Sequence, residues 1–401
     1  MSAFSDIKVV LDGYALRFHR VGIVNCAYAL AKGYRKRIAT TNDFKILLGD
    51  DHISDSGIKE FISNTHAENI FTRNKTLFNK IVKMILYSKN SFNRNFFKLD
   101  SWLQKSTQGY DVFHCTDWFF YPSRKTKVNV ITIYDLTTTL FPNFHTQINI
   151  EKELHKINVI GKYDLVSSIS HSARNDLLNH SKINPEKVIV NYIDTDEIYN
   201  FQIYKPRDQI YKTYGIPNQF RYLLCVSTLE PRKNLQKTLE SFAHFLKKNP
   251  SAPYVLVLVG GIGWKNDEFQ QYIASSNITD RVIFTGFADN SDLPSLYYHA
   301  DCFLYLSWYE GFGLPILEAM KSHCPVICSN RSSMPEVIGN TGILVSPHDL
   351  EEIVCAIERV LSDKTESQNM RLRAFERSKL FSWDRHLDTL FANYRVLLGR
   401  S

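Results

Sequence analysis

Short runs rich in valine, isoleucine and leucine recur along this chain, separated by stretches of helical periodicity, and the alternation runs twice. The first series is IKVVLD (7–12), FKILLG (44–49), DVFHC (111–115), VNVITIYD (128–135), DLVSSIS (164–170) and KVIVNY (187–192). The second is RYLLCVST (221–228), YVLVLVG (254–260), RVIFTG (281–286), CFLYLS (302–307) and PVICS (325–329). Apolar runs without polar alternation, joined through helices, predict parallel strands buried on both faces. Helices are expected over 22–36, with Ile23, Ala27, Leu30 and Tyr34 on one side, and over 235–248, 294–299, 315–322 and 350–361. A polar stretch over 193–220, with Pro206 and Pro217 and room for a short helix, reads as a connection between domains. At 401 residues the chain is long for one core and comfortable for two. The expected class is α/β: two doubly wound domains, over 1–200 and 201–380, with a final helix over 381–401. Ligands in such folds bind beyond the carboxyl ends of the strands, here expected in a central cleft between the domains.

Composition narrows the setting. The seven cysteines are scattered and odd in number, which argues against a disulfide framework and for a reducing, cytoplasmic setting. Cys324 and Cys328 lack a second pair at zinc spacing and read as small buried residues. The opening MSAFSDIKVVLDGYA has neither the basic start nor the long apolar run of a secretory leader. No stretch approaches the ~18 apolar residues of a membrane span. A net charge of +7 suits an anionic ligand or membrane surface without naming one. Eight of the basic residues fall between Arg73 and Lys105 against a single acid, Asp100, with Leu77, Ile81 and Ile85 on one helical face among them. This segment is either a peripheral membrane patch at the inner face of the cytoplasmic membrane or a basic helix packed into its own domain. No motif supports nucleic-acid binding.

Two loops carry the chemistry. In SWYEGFGLPILEAM (307–320) a strand ends and a helix begins near Pro315, and Gly311 and Gly313 permit conformations that turn backbone amides outward. The helix start adds positive potential, so the loop suits an anion such as a diphosphate. Glu310 precedes the glycines, and Glu318 is expected in the first helical turn. In STLEPRKNL (227–235), again between strand and helix, Arg232 and Lys233 place two cations within reach of the same cleft. Fixed cations and amide dipoles aimed at a departing nucleoside diphosphate lower its barrier.

Glu310 and Glu318 within EGFGLPILEAM, together with LEPRKN and RVIFTGFADNSDLPSLYYHAD (281–301), resemble the family 4 glycosyltransferases of the GT-B fold. The bacterial O-antigen and exopolysaccharide mannosyltransferases are the most similar in style. The resemblance implies retaining transfer of a sugar, most simply mannose from GDP-mannose, to a glycan or lipid-linked glycan in surface polysaccharide assembly. The only small molecules it implies are the nucleotide sugar and acceptor, with no cofactor and no required metal. It places Arg232 and Lys233 on the donor diphosphate, Gly311, Phe312, Gly313 and Leu314 near the donor, Glu310 on sugar hydroxyls and Glu318 on the ribose. Phe287 and Leu293 would border the base. In the first domain HRVGIVNCAYAL (19–30) resembles the family's glycine loop, with Gly22 against donor phosphate or acceptor. His114 matches a strand-end histidine facing the cleft and reaching the donor sugar. Relatives often carry His-Asp where this chain has Tyr134-Asp135, which leaves Asp135 as the acceptor-side candidate. SISHSARNDL (168–177) puts Arg174 on the same side, and the tail FSWDRHLDTLFANYRVLL (381–398) resembles a helix that returns to the first domain.

Other donors remain open: a UDP-sugar, dTDP-rhamnose or another GDP-sugar. So does a non-catalytic relative that only binds nucleotide sugar. Asp194-Thr195-Asp196 has the spacing of a metal-binding pair but sits in the connecting stretch. Gly260-Gly261-Ile262-Gly263 follows a strand as a dinucleotide loop would, yet Asn266 stands where its third glycine belongs.

Overall fold

The computed structural model describes residues 6–13, 16, 22–38, 43–48, 51–52, 92–116, 121–228, 230–261 and 278–400. Most of the basic stretch that begins at Arg73, and His19 of the glycine loop, lie outside them. The chain divides into two compact units, Met1–Ile193 with Ser382–Ser401, and Asp194–Phe381.

The first unit holds a seven-stranded sheet. Its strands are β1 (Val9–Asp12), β2 (Phe44–Leu48), β3 (Asp51–His52), β4 (Val112–Cys115), β5 (Val128–Ile133), β6 (Leu165–Ser168) and β7 (Val188–Val190). They lie in the order β3-β2-β1-β4-β5-β6-β7, parallel throughout except for the short β3 at the edge. The helix Ile23–Arg37 buries Ala27, Leu30, Ala31 and Tyr34 against Val9, Leu11 and Val128 on one sheet face. The C-terminal helix Trp383–Leu397 adds Leu387, Leu390, Phe391 and Tyr394 to that cluster. Each such side chain contributes about 1.5–3 kcal/mol by leaving water, which holds the tail in the first unit. Arg37 reinforces the junction with ion pairs to Asp384 at 3.0 Å and Asp388 at 2.9 Å.

The second unit holds β8 (Arg221–Val226), β9 (Tyr254–Val259), β10 (Val282–Gly286), β11 (Cys302–Tyr305), β12 (Val326–Ser329) and β13 (Ile343–Val345). They form a six-stranded sheet in the order β10-β9-β8-β11-β12-β13, with parallel pairs throughout. The helix Leu235–Lys248 follows its apolar periodicity, burying Leu235, Leu239, Phe242 and Phe245. Lys247 and Lys248 in its last turn face the negative end of its dipole.

The connecting stretch does not stand apart. The division falls between Ile193 and Asp194, earlier than the expected 200, because Lys321 ties Asp194 into the second unit at 2.6 Å. Tyr199 is buried there against Tyr297. Asp196 accepts from the Ile198 amide and caps the short turn Glu197–Asn200. Both carboxylates of the Asp-x-Asp stretch therefore have local structural partners. The described cysteines are all free, and Cys324 and Cys328 are buried.

Candidate active site

The strand order of the second unit reverses between β8 and β11. From β8 the chain winds outward through β9 and β10, then returns to lay β11 on the other side of β8. Loops leaving the carboxyl ends of strands on either side of such a reversal diverge and leave a crevice, where open α/β sheets bind ligands. The two loops singled out in the sequence leave these two strands.

The loop after β8 tightens into the single turn Pro231–Lys233 and closes on Asn234, held left-handed at φ 53°. The Asn234 amide pins that geometry by donating to the carbonyls of Leu306 and Pro347, both at 3.1 Å. The Trp308 amide donates to the Arg232 carbonyl at 2.9 Å, so the β8 and β11 loops are joined through their backbones. Glu310 is fixed in turn: its amide donates to Ser332 Oγ at 2.9 Å, and its carbonyl accepts from Ser333 Oγ at 2.8 Å.

The side chains converge accordingly. Lys233 Nζ lies 2.7 Å from Glu310 Oε1, and Arg232 NH1 lies 2.9 Å from Glu310 Oε2. Arg232 also pairs with Glu230 at 2.6 Å and donates to the Tyr309 carbonyl at 2.8 Å. Lys233 donates to Tyr305 Oη at 3.0 Å. Burial alone would raise the Glu310 carboxyl, but the two cations and the bond from Lys233 outweigh it and hold the group at about 2. Burial and the neighbouring guanidinium pull Lys233 below its ordinary value, partly offset by Glu310 and Glu230. The cluster is two cations and two carboxylates at the switch point, with Arg232 still 17% exposed.

The glycine loop is built as its residue types require. Gly313 caps the helix Leu314–Lys321 at φ 94°, a left-handed conformation that side chains disfavour. Gly311 and Phe312 are buried, the latter edge-on to Phe381 at 5.6 Å, and Leu314 is half-buried. Because the helix begins at Leu314, Glu318 lies past the first turn, which holds no acid. Its role is therefore not the helix-start charge expected from the sequence. Glu318 accepts from Tyr297 Oη at 3.0 Å and bonds Tyr199, and burial raises its carboxyl to about 7 against those bonds.

Phe287 follows β10 and is 76% exposed. It lies over Gly261 at the end of β9, where an added Cβ would come within 2.3 Å of the ring. The neighbouring Ile262 and Gly263 lie outside the described residues. Leu293 opens the helix Leu293–His299 and is half-buried.

In the first unit the sequence expectations divide. Gly22 caps the helix Ile23–Arg37 at φ 45°, exposed, with open space where a Cβ would stand. Asp135 follows β5 at the carboxyl edge and accepts from the Thr137 amide at 3.0 Å, starting the turn Thr137–Leu140. His114 needs correction. It is 0% exposed, with Nδ1 2.7 Å from Tyr34 Oη and Nε2 2.8 Å from Thr132 Oγ1. Burial, with His386 nearby, pushes its pKa down to about 3, so it is a neutral core group with both nitrogens occupied. The alternation of β4 turns it into the helix-covered core. Arg174 also needs correction: its guanidinium donates to the Val188 carbonyl at 3.1 Å, at the amino end of β7 and away from the edge where ligands bind.

Sequence reasoning passed over Glu230, Tyr305, Asn234, Ser332 and Ser333. Glu230 stood two residues before Arg232 in the quoted motif, where its charge was a signal. The serines belong to the loop after β12, and only the fold brings them to Glu310.

Among the described residues, no helix is long and apolar enough to cross a membrane. Residues 206–377 match the family model described as glycosyl transferases group 1. The chain is 29% identical to the O-antigen chain mannosyltransferase B of Escherichia coli, over 74% of this chain and 77% of that one. It is 30% identical to the serotype-specific mannosyltransferase WbdA of E. coli over 60% of this chain, but spans only 29% of that longer protein. In structure it is similar to HepE of Anabaena, solved with UDP and glucose, with TM-score 0.68, 18% identity, and coverage of 96% of this chain and 99% of that one. Residues 206–377, within the second unit, therefore carry a glycosyl transferases group 1 domain, and the chain has the GT-B fold.

Proposed function

We propose that this glycosyltransferase moves mannose from GDP-mannose, with retention at the anomeric carbon, onto a glycan or lipid-linked glycan in surface polysaccharide assembly. The observation that carries the reading is the Arg232–Lys233–Glu310 cluster at the strand-order reversal. The donor diphosphate takes the two cations, whose charge meets the charge that develops on the leaving group. The amides of the loop holding Gly311, Phe312 and Gly313 take its remaining oxygens. Glu310, released from part of its pairing, faces the sugar hydroxyls. Glu318 accepts a ribose hydroxyl, and Phe287 and Leu293 border the base. Neutralisation of the diphosphate is thus assigned to protein groups rather than to a metal.

Mannose is favoured by the named activities of the two E. coli relatives. A UDP-sugar is the second reading, because HepE was solved with UDP and glucose. Retention follows from a front-face reaction, in which the leaving phosphate oxygen takes the acceptor proton while the enzyme positions both partners. Asp135 and Gly22 are assigned to the acceptor side and the donor phosphate, respectively. The acceptor is placed at the inner face of the cytoplasmic membrane.

The test is incubation of the purified chain with GDP-mannose and a mannose-terminated acceptor, with the new linkage read by NMR. An α-linked mannosyl product is expected. A β-linked product rejects retention, and turnover with UDP-sugars alone rejects the donor.

A further inference from the structure

A cavity of about 670 Å³ opens at the other end of the second sheet. Arg221 begins β8, and Asp301 immediately precedes β11, so both stand at the amino ends of the strands whose carboxyl ends carry Arg232 and Glu310. Six residues of β8 put the two sites roughly 20 Å apart at ~3.3 Å per residue. The volume falls within the range of small-molecule sites, about 300–1,000 Å³.

Its lining has an unbalanced charge. Arg207, Arg221, Lys364 and Arg371 face it, and Asp301 is the single carboxylate among the described residues that line it. Three of the cations are already fixed. Arg221 is paired with Asp301 Oδ1. Arg371 donates to the carbonyls of His323 at 2.6 Å and Ala300 at 2.9 Å. Arg207 donates to Tyr211 Oη at 3.0 Å. Holding like charges together in a concave site costs free energy that a bound anion recovers, and fixed guanidinium groups lose little entropy on binding it. A second observation narrows the ligand. The exposed ring of Tyr298, stacked on one side against Tyr204, offers an apolar surface at the rim.

We infer that this cavity is a second ligand site, separate from the transfer site, for a phosphorylated saccharide whose phosphate meets the arginine and lysine cluster while its sugar ring lies against Tyr298 at the rim. The same chemistry is offered by a free sugar phosphate and by a phosphate-bearing glycan chain. The inference does not rest on the identity of the donor.

The test is calorimetric titration of the whole chain with mannose 6-phosphate, with mannose and inorganic phosphate as single-feature controls. Mannose 6-phosphate should bind about tenfold tighter than either control. Lys364→Glu, which reverses one lining charge at a helix start that tolerates an acid, should weaken it about tenfold. Gln368→Ala removes a neutral lining group as a second, milder variant. Arg232→Ala should leave the affinity unchanged. A phosphorylated mannan fragment that binds tighter than the monosaccharide identifies the ligand as a chain, and the reverse order identifies a free metabolite. Equal affinity in the wild type and Lys364→Glu, no binding at millimolar ligand, or loss of binding in Arg232→Ala overturns the assignment.

Discussion

Lys233 Nζ and Glu310 Oε1 stand 2.7 Å apart although 77 positions separate the two residues in the chain. The contact exists because β8 and β11 are neighbours and the loops leaving them are tied through the Trp308 amide and the Arg232 carbonyl. Without ligand, the carboxylate compensates two adjacent cations. With a diphosphate present, phosphate and carboxylate compete for the same charges.

That competition gives Glu310→Gln an unusual signature. Transfer should fall on the order of 100-fold, the scale of losing one group that stabilises a transition state. Nucleoside diphosphate affinity should hold or increase, because Arg232 and Lys233 lose their internal partner. Steady-state kinetics and calorimetry on the same variant check both halves. A tenfold loss of nucleotide affinity would place Glu310 on the nucleotide instead of the sugar.

The two carboxylates should shape stability in opposite directions. Glu310 is held at about 2, below its ordinary 4.5, so its contribution is full above pH 4.5 and lost as pH falls toward 2. Glu318 is raised to about 7, so its contribution is full below pH 4.5 and lost as pH rises through 7. Between pH 5 and pH 8, urea midpoints carry this loss on top of the opposite trend of His114 and His386, which are buried neutral and gain stability as pH rises. Glu318→Gln should flatten that loss by on the order of 1 kcal/mol. An identical slope in the variant would contradict the burial of a protonated Glu318.

His114→Ala should cost stability rather than chemistry. It strips partners from Tyr34 and Thr132 in a sealed core, at about 1–3 kcal/mol for each buried group left unsatisfied. Urea denaturation should show the loss, while kcat of the folded fraction at low temperature stays within a few-fold of wild type. A hundredfold drop in kcat without a shift in the midpoint would return His114 to the active site.

Phe287→Ala should do the reverse. The ring is so exposed that stability should change little, whereas removal of a surface bordering the base should weaken nucleotide binding about tenfold, the scale of one base stacked on an aromatic ring. Calorimetry with matched thermal melts separates the two, and unchanged affinity would remove Phe287 from the base site.

Much of this architecture was legible before any coordinates. The apolar runs of β8, β9 and β11 needed only their unbroken apolar character to read as buried parallel strands, and the helix Leu235–Lys248 ends where its periodicity ends. The short strand Ile343–Val345 escaped because three apolar residues after a glycine, two half-buried and one buried, give no period to read. His114 was misplaced because sequence locates a residue at a strand end but not on a face. Its side belongs to the pleat and to Tyr394, 280 residues away. Arg174 was misplaced because a guanidinium reaches far enough to leave its own helix and bind the next strand. Asn234 was hidden because a left-handed closing residue is a property of the turn, not of any periodic pattern.

The central claim is that Arg232 and Lys233 hold the donor diphosphate. It is tested most directly by calorimetric titration of GDP into the wild type, Arg232→Ala and Lys233→Ala, each shown to be folded. The account predicts saturable binding to the wild type and a loss of at least tenfold in each variant. Wild-type affinity in both variants, with the fold intact, would contradict it.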